Sequence, residues 1–488
     1  MKDHSAGKIL LILFVLTLLA LLIHGYHPGV EDDGVYLSAI KRDLNPNLYP
    51  HDFEFFTLQL QATVFDKLVA GSVRLSHLPL PVVVLAWHIL TIFTILWGCW
   101  RISRLCFPEW YAQWAAVCSM AVLLTLPVAG TALYLVDQYL HPRALATAAI
   151  LGAIAAAAEG RSWLMAVLLA AACLIHPLMA SFGISYCLFL FWKPSVRSQM
   201  QFAALTLIAV PLGWIFEPTS PAWQEAAHTR DYFYLSAWRW YECVGVFAPL
   251  LILWWFRRLG RSRGLAVLAH MSSRLFWYGI FQLLIALVIV LPARLDRLKP
   301  FQPMRYLHLL YLLMVLFAGG LAGQRLLRTH WVRWLVLFVP LGAGMFVVQR
   351  QTFPHSAHVE WPGAVPRNGW VQAFLWIERN TPQDSLFALD PYYMQRPGED
   401  AHSFRAWAER SVLADYAKDA SVATQVPRLA SRWQEQVRAQ SGWKQFQKAD
   451  FENLRARYGV TWVVVERPGV PGLQCPYQND IVMVCQLE

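Results

Sequence analysis

Charged residues are scarce in this chain: only 15% of its 488 residues are charged, whereas 57% are hydrophobic. A soluble protein of this length exposes much of its chain to water and needs a larger polar fraction. Several motifs are also missing, since there is no P-loop, no GxGxxG followed by a helix, no HExxH and no paired CxxC. The sequence thus has no signature of a nucleotide, dinucleotide or zinc site. The composition excludes an ordinary soluble protein and favours a membrane protein.

The hydrophobic residues form blocks. Uncharged runs of about 17 to 20 residues recur between Lys8 and Gln349, and a helix needs this length to cross a bilayer. We therefore predict an α-helical polytopic membrane protein with about 11 transmembrane helices, followed by a C-terminal α/β domain over 353–488. The predicted transmembrane helices are 8–25, 80–100, 111–133, 143–158, 163–176, 178–192, 199–216, 241–256, 274–292, 306–323 and 332–349.

Positive charge in short loops predicts the topology. The net charge is +10, and much of it lies between hydrophobic blocks, as in 257–263. Because Lys and Arg are enriched in cytoplasmic loops, we place the N-terminus in the cytoplasm and the C-terminal domain outside the membrane. This arrangement favours membrane lipid over nucleic acid as the partner. If 163–192 were one helix kinked at His176-Pro177, the C-terminal domain would lie on the other side.

Four predicted outer segments are longer or more polar than turns need to be, namely 26–79, 134–142, 217–240 and 293–305. Loops carry function more often than spans do, so the outer face is the expected place for chemistry.

Three consecutive acids, Glu31, Asp32 and Asp33, follow the first helix. The next segment, 34–44, has apolar residues on one face, and we predict an amphipathic helix that lies along the membrane surface. One acid is enough to cap such a helix and to complement its dipole. Three acids beside the membrane therefore indicate a functional carboxylate, with helix capping as the simpler alternative.

The second outer segment brings Asp137 close to His141 and Arg143, where a helix is predicted to start. We consider these residues candidates for substrate binding, and ordinary loop polarity with an Arg anchor is the alternative. His176 lies between two apolar runs. It is either a substrate contact or proton carrier, or a hydrogen-bonded histidine at a helix break.

The fourth outer segment carries four cations on the side where few are expected: Arg294, Arg297, Lys299 and Arg305. Arg matches phosphate oxygens in bidentate geometry, and the N-terminus of the helix at Arg305 also attracts anions. We therefore predict a phosphate site here, with Gln302 beside it. Anchoring in lipid headgroups is the alternative.

The C-terminal domain contains a pair of cysteines, Cys475 and Cys485, on either side of the turn at Asn479-Asp480. In an oxidising compartment a disulfide is expected, and the alternative is two free thiols. Periodicity predicts helices at 368–380, 427–440 and 448–458, and strands at 385–389, 460–465 and 481–486.

These features resemble the GT-C superfold of integral-membrane glycosyltransferases, which take sugar from polyprenyl-phosphate donors. The resemblance rests on a first helix, an outer loop that opens with Glu31-Asp32, a second acid at Asp137, many spans and a C-terminal outer-face domain. The chain is more closely similar to a group of bacterial GT-C-like membrane proteins. The segments that carry this similarity are His27-Pro28 to Leu37, Leu48-Tyr49-Pro50, His141-Pro142-Arg143, Ile175-His176-Pro177, Gln302-Pro303-Met304-Arg305, 376–382 and Tyr458-Gly459-Val460.

The resemblance implies that an outer-loop carboxylate is the general base for an acceptor hydroxyl. Asp32 is the expected base, with Glu31 and Asp33 as alternates, while Arg305 together with Arg297 or Lys299 would hold the lipid phosphate. It implies no certain cofactor and leaves a divalent metal ion open. Two other functions remain as alternatives: a transporter or flippase for lipid-linked substrates, and a non-catalytic assembly protein that has kept the fold.

Overall fold

The computed structural model describes residues 6–191 and 219–487. These residues are mostly helical, with a sheet near the C-terminus. Within them, six helices are long and apolar enough to cross a membrane, as expected for a helical membrane protein. The helix predicted at 199–216 lies outside the described residues. The six helices are Ala6–His24, Leu80–Cys106, Trp240–Ser262, Ala266–Val290, Pro303–Leu327 and Trp331–Thr352.

Three shorter apolar helices, Pro142–Ala158, Ser162–Ile175 and Pro177–Phe191, pack against one another. The ring of His176 lies 6.4 Å from the ring of His141, so the second helix ends where the first begins. The third helix then returns alongside the first. The chain therefore reverses at His176-Pro177 and does not form one kinked helix. The residue before a proline avoids the helical region, which explains the position of the reversal.

The helix predicted at 111–133 is wrong in its second half. The observed helix, Trp110–Val122, ends early, and a two-stranded antiparallel hairpin follows. Pro127 cannot donate a helical hydrogen bond, and Gly130 has a φ of +62°, which favours glycine. Hydropathy alone does not detect this change, because the hairpin is also apolar. The strands are β1 (Pro127–Val128) and β2 (Leu133–Tyr134).

The helix Asp33–Leu44 is not on the membrane surface as predicted, because residues 33–40 are all buried. It packs between the helix Phe65–Ser76 and the C-terminal domain. Its second face carries small residues, and at Gly34 a side chain would collide with Ser403. The Lys41 ammonium donates a 2.7 Å hydrogen bond to the carbonyl of Ala406. Small residues opposite an apolar face thus allow burial on both sides.

The C-terminal domain is built on a five-stranded sheet in the order β4-β3-β5-β7-β6. β3 pairs in parallel with β4 and β5, whereas β7 is antiparallel to β5 and β6. The strands are β3 (Leu386–Leu389), β4 (Ser411–Val412), β5 (Trp462–Glu466), β6 (Gln474–Gln478) and β7 (Val482–Gln486). The helices of this domain are Gly369–Asn380, Phe404–Ala408, Lys418–Gln425, Ala430–Ala439 and Lys448–Tyr458.

A disulfide joins Cys475 on β6 to Cys485 on β7. The other six cysteines, between Cys99 and Cys243, are free. The pairing agrees with the expected hairpin, while oxidation in the cell stays a prediction that depends on which side of the membrane the domain occupies.

A buried ionic network joins segment 26–79, the first of the predicted outer segments, to the C-terminal domain. The Arg405 guanidinium donates from Nε to Asp52 at 2.6 Å and from its two terminal nitrogens to Asp419 at 2.8 and 2.9 Å. The side chains of all three residues are at most 7% exposed. This network fixes the helix Lys418–Gln425 beside the first outer segment.

Candidate functional site

All four predicted outer segments and the C-terminal domain contribute to one cavity of about 660 Å³. One part of its wall is apolar and includes Leu58, Leu60, Ile175, Leu178 and Phe301. The other part is polar and includes Asp32, His141, Arg143, His176, Arg297, Gln302, Arg305 and Lys418. Among the described lining residues there is thus one carboxylate against four cations, which suits an anionic ligand with an apolar portion.

Asp32 faces this cavity. It occupies the N-cap position of the helix Asp33–Leu44, but its side chain makes no capping hydrogen bond. One carboxylate oxygen accepts a 2.9 Å hydrogen bond from the Lys418 ammonium, and the other lies 3.9 Å from His141 Nε2. Burial alone would raise the pKa of Asp32, but the charges of Lys418 and Arg143 hold that pKa well below its ordinary value. Capping therefore does not explain Asp32, which is an ionised carboxylate in the cavity wall.

His141 presents a hydrogen-bond donor to the cavity. Its Nδ1 accepts a 2.9 Å hydrogen bond from the backbone N–H of Arg143, which places the proton of the neutral ring on Nε2. Burial, and then the charge of Arg143, keep the pKa of His141 well below its usual value, so the ring is neutral. Nε2 is buried and has no hydrogen-bond partner among the described residues. A ligand oxygen would satisfy this donor.

Arg143 is held in place by Asp137. Both Asp137 oxygens lie 2.8 Å from one terminal nitrogen of Arg143, and both side chains are at most 5% exposed. Arg143 lines the cavity, whereas Asp137 lies behind it. Asp137 is therefore a positioning residue, and the structure does not bring it to the cavity as a second carboxylate.

The predicted phosphate site is only partly assembled at the cavity. Arg305, Gln302 and Arg297 line it. The Nε of Arg305 and the side-chain oxygen of Gln302 are buried and have no hydrogen-bond partner among the described residues. Lys299 is outside the lining, because its ammonium pairs with Asp296 at 2.7 Å and lies over the Tyr234 ring.

The two alternate bases also lie elsewhere. The Glu31 carboxylate forms an ion pair with the Lys418 ammonium and lines a neighbouring cavity. Asp33 is 2% exposed and accepts a 2.6 Å hydrogen bond from the backbone N–H of Gly29. Of the three consecutive acids, Asp32 is the one that reaches the main cavity.

Asp33 gives a prediction about pH. Burial raises the pKa of Asp33 from 3.8 to about 7, despite the hydrogen bond from Gly29. Between these pH values the folded protein binds a proton that the unfolded chain lacks, so this contribution to stability decreases as pH rises and is lost above about pH 7. The thermal stability of Asp33→Asn relative to the native protein should therefore increase as the pH is raised from about 5 to about 8. Asp480→Asn, at an exposed acid, is the control, and a difference that does not change with pH would contradict the prediction.

Sequence reasoning missed Lys418, which pairs with both Glu31 and Asp32. No motif surrounds it, and it lies 386 residues from Asp32. Tyr36 was also missed. Tyr36 lines the main cavity, and its ring lies 4.8 Å from the ring of His141. Burial and then the Asp32 charge raise the pKa of its hydroxyl. Its position three to four residues after the acids, one helical turn on, was an available signal.

Within residues 6–191 and 219–487, no group of three or more His, Cys, Asp or Glu side chains is arranged to hold a metal ion. A divalent metal therefore has no candidate ligand set in this part of the chain.

The described residues are mostly helical, with six helices long enough to cross a membrane, and the four segments predicted to be outer ones enclose a cation-rich cavity with the C-terminal domain. Residues 368–439 match a family model described as a domain of unknown function (DUF6798). The matched stretch includes Arg405, Lys418 and Asp419. No curated protein matches the chain.

Proposed function

We propose that this protein is a GT-C-like membrane glycosyltransferase of about 11 spans that moves a sugar from a polyprenyl-phosphate donor to an acceptor. The reaction takes place on the outer face of a bacterial inner membrane. The observation that carries the proposal is that Asp32, Arg305 and an apolar wall share one cavity. A base, a phosphate site and a surface for a lipid chain are the three parts that this reaction needs.

The donor fits the two parts of the wall. Its polyprenyl chain lies against the apolar residues near Ile175 and Phe301, and its phosphate lies at Arg305. The unpartnered Nε of Arg305 and the Nε2–H of His141 then donate to phosphate oxygens. Burial of these donors without a partner is costly, so a bound anion stabilises the site.

The transfer step requires one base. An acceptor hydroxyl oxygen attacks the anomeric carbon, and its proton passes to the carboxylate of Asp32. The bond from the anomeric carbon to the phosphate oxygen breaks, and the phosphate leaves with the electron pair. The cations of the wall stabilise the charge that develops on this oxygen.

The pairing with Lys418 favours a second candidate function, the non-catalytic assembly protein. A carboxylate whose pKa is held low is a weak base, and Asp32 is such a carboxylate in this state. Under the transferase proposal, the Lys418 ammonium leaves Asp32 when the acceptor binds. Measured transfer activity separates the two candidates.

Arg305→Ala tests the donor site. Loss of a charged hydrogen-bond donor costs about 1.5–3 kcal/mol, so binding of a polyprenyl phosphate should weaken by about 10- to 100-fold. The measurement is equilibrium binding of the lipid to the full-length protein in detergent. Arg325→Ala, at the other end of the same span, is the matched control and should bind normally. Equal affinities for the two variants would refute the phosphate site.

The topology can be tested by cysteine labelling. The helices Ser162–Ile175 and Pro177–Phe191 meet at His176, which the predicted topology places outside, and His176 lines the same cavity as the C-terminal domain. We therefore expect the C-terminal domain to be outside. In a Cys243→Ser background, Ser441→Cys should react with an impermeant thiol reagent in cells with a permeabilised outer membrane. Ser262→Cys, in a predicted cytoplasmic loop, should react only after the inner membrane is lysed. The reverse pattern would place the site in the cytoplasm.

A further inference from the structure

A second cavity, of about 440 Å³, lies next to the first. It is mainly polar, and its polar lining residues are Glu31, Arg230, Gln395, Arg396, Glu399 and Lys418. Lys418 lines both cavities. The two spaces are therefore separated by one ammonium group and its two carboxylate partners, Glu31 and Asp32.

The backbone at Glu31 directs neighbouring acids into different cavities. Glu31 has a φ of +49°, in the left-handed region that a residue with a side chain seldom adopts. Glu31 faces the polar cavity, and Asp32 faces the main cavity. Strain of this kind persists where the surrounding structure requires it, and it is concentrated at functional sites.

Arg230 is the unsatisfied group of the polar cavity. Its Nε and one terminal nitrogen are buried and have no hydrogen-bond partner among the described residues, and no acid there pairs with it. The second guanidinium of this cavity, that of Arg396, is already neutralised by Asp390 and Glu466. A guanidinium does not deprotonate in a protein, so its buried N–H groups need an anionic or other oxygen acceptor.

We propose that the polar cavity binds the carboxylate or phosphate group of a hydrophilic acceptor, held by Arg230 and Lys418. This proposal rests on the proposed function, because a transferase needs an acceptor beside its base. The planar guanidinium fits two oxygens of either group. The acceptor anion competes with Asp32 for the Lys418 ammonium, so its binding releases the carboxylate that takes the hydroxyl proton. The acceptor thus reaches the base from water, and the donor reaches it from the membrane.

The experiment measures binding of three small probes to the full-length protein in detergent by ligand-observed NMR: glucuronate, glucose 6-phosphate and glucose. At least one charged sugar should bind about tenfold or more tightly than glucose, and the stronger of the two identifies the anion. Arg230→Gln should remove this preference. Arg438→Gln, at a side chain 65% exposed and outside both cavities, should keep it.

Binding of polyprenyl phosphate, measured on the same samples, is the second readout. If Arg230→Gln loses the charged sugars but keeps the lipid, the variant is folded and the proposal is supported. Equal binding of glucose and charged sugars, or no effect of Arg230→Gln, overturns the acceptor site and leaves the donor site standing. If the native protein binds charged sugars but no polyprenyl phosphate, the proposed function fails and the polar cavity serves another anion.

Discussion

Asp32→Asn is expected to lower sugar transfer by about 10²- to 10⁴-fold, which is the usual contribution of a general base. Asparagine keeps the size of the side chain and can still accept a hydrogen bond from Lys418, but it cannot take a proton at neutral pH. The fold does not depend on Asp32 as a helix cap, since its side chain makes no capping bond. Binding of the polyprenyl phosphate donor should therefore stay close to normal while turnover is lost.

Asp43→Asn, at the other end of the same helix, provides the control. Asp43 pairs with Arg74 and lines neither cavity. Transfer is measured as radiolabelled sugar released from the donor lipid to the acceptor. If both variants retain activity, Asp32 is not the base. If the native protein shows no transfer with any donor lipid, the assembly protein becomes the leading interpretation.

Arg405→Ala is expected to destabilise the folded protein by about 3–5 kcal/mol, the cost of breaking a buried ionic network by removal of one partner. The substitution leaves Asp52 and Asp419 buried and without their cation. Because Asp419 follows Lys418 directly, the change also releases the lysine that lines both cavities. We expect a lower midpoint of thermal unfolding in detergent. We also expect faster proteolysis of segment 26–79 and of the C-terminal domain, which this network holds together.

Arg457→Ala is the matched control, since Arg457 pairs with Glu435 at the surface, where both side chains are more than half exposed. Such a pair contributes about 0–1 kcal/mol, so the midpoint should hardly change. A similar small shift for Arg405→Ala would mean that the C-terminal domain is held by its apolar contacts alone.

The sequence predicted helix positions well because hydrophobic blocks have the length of a span and loops have a charge bias. Helices were found near most of the predicted spans that lie in the described residues. The exception at 111–133 arose because a buried hairpin is as apolar as a helix. The buried helix Asp33–Leu44 was placed on the membrane surface because a sequence does not reveal what will cover the second face of a helix.

The candidate site was predictable where composition departed from expectation. Three acids in a row led to Asp32, and cations on the predicted outer side led to Arg305. Both residues face the same cavity. Lys299 was grouped with Arg305 because the two are near in sequence, but pairing with Asp296 removes it. Lys418 and Arg230 could not be found, because their meaning depends on contacts between parts of the chain that are far apart in sequence.

The distance along the chain between Asp32 and Lys418 has a consequence for biosynthesis. The two residues are separated by 386 positions, and a ribosome adds about 5–20 residues per second. The Asp32 carboxylate is therefore made roughly 20 to 80 s before its partner ammonium. During that time the first outer segment has neither Arg405 nor the helix Lys418–Gln425 to pack against. Most of the lining of the main cavity is therefore synthesised before residues 418–427, which complete its wall.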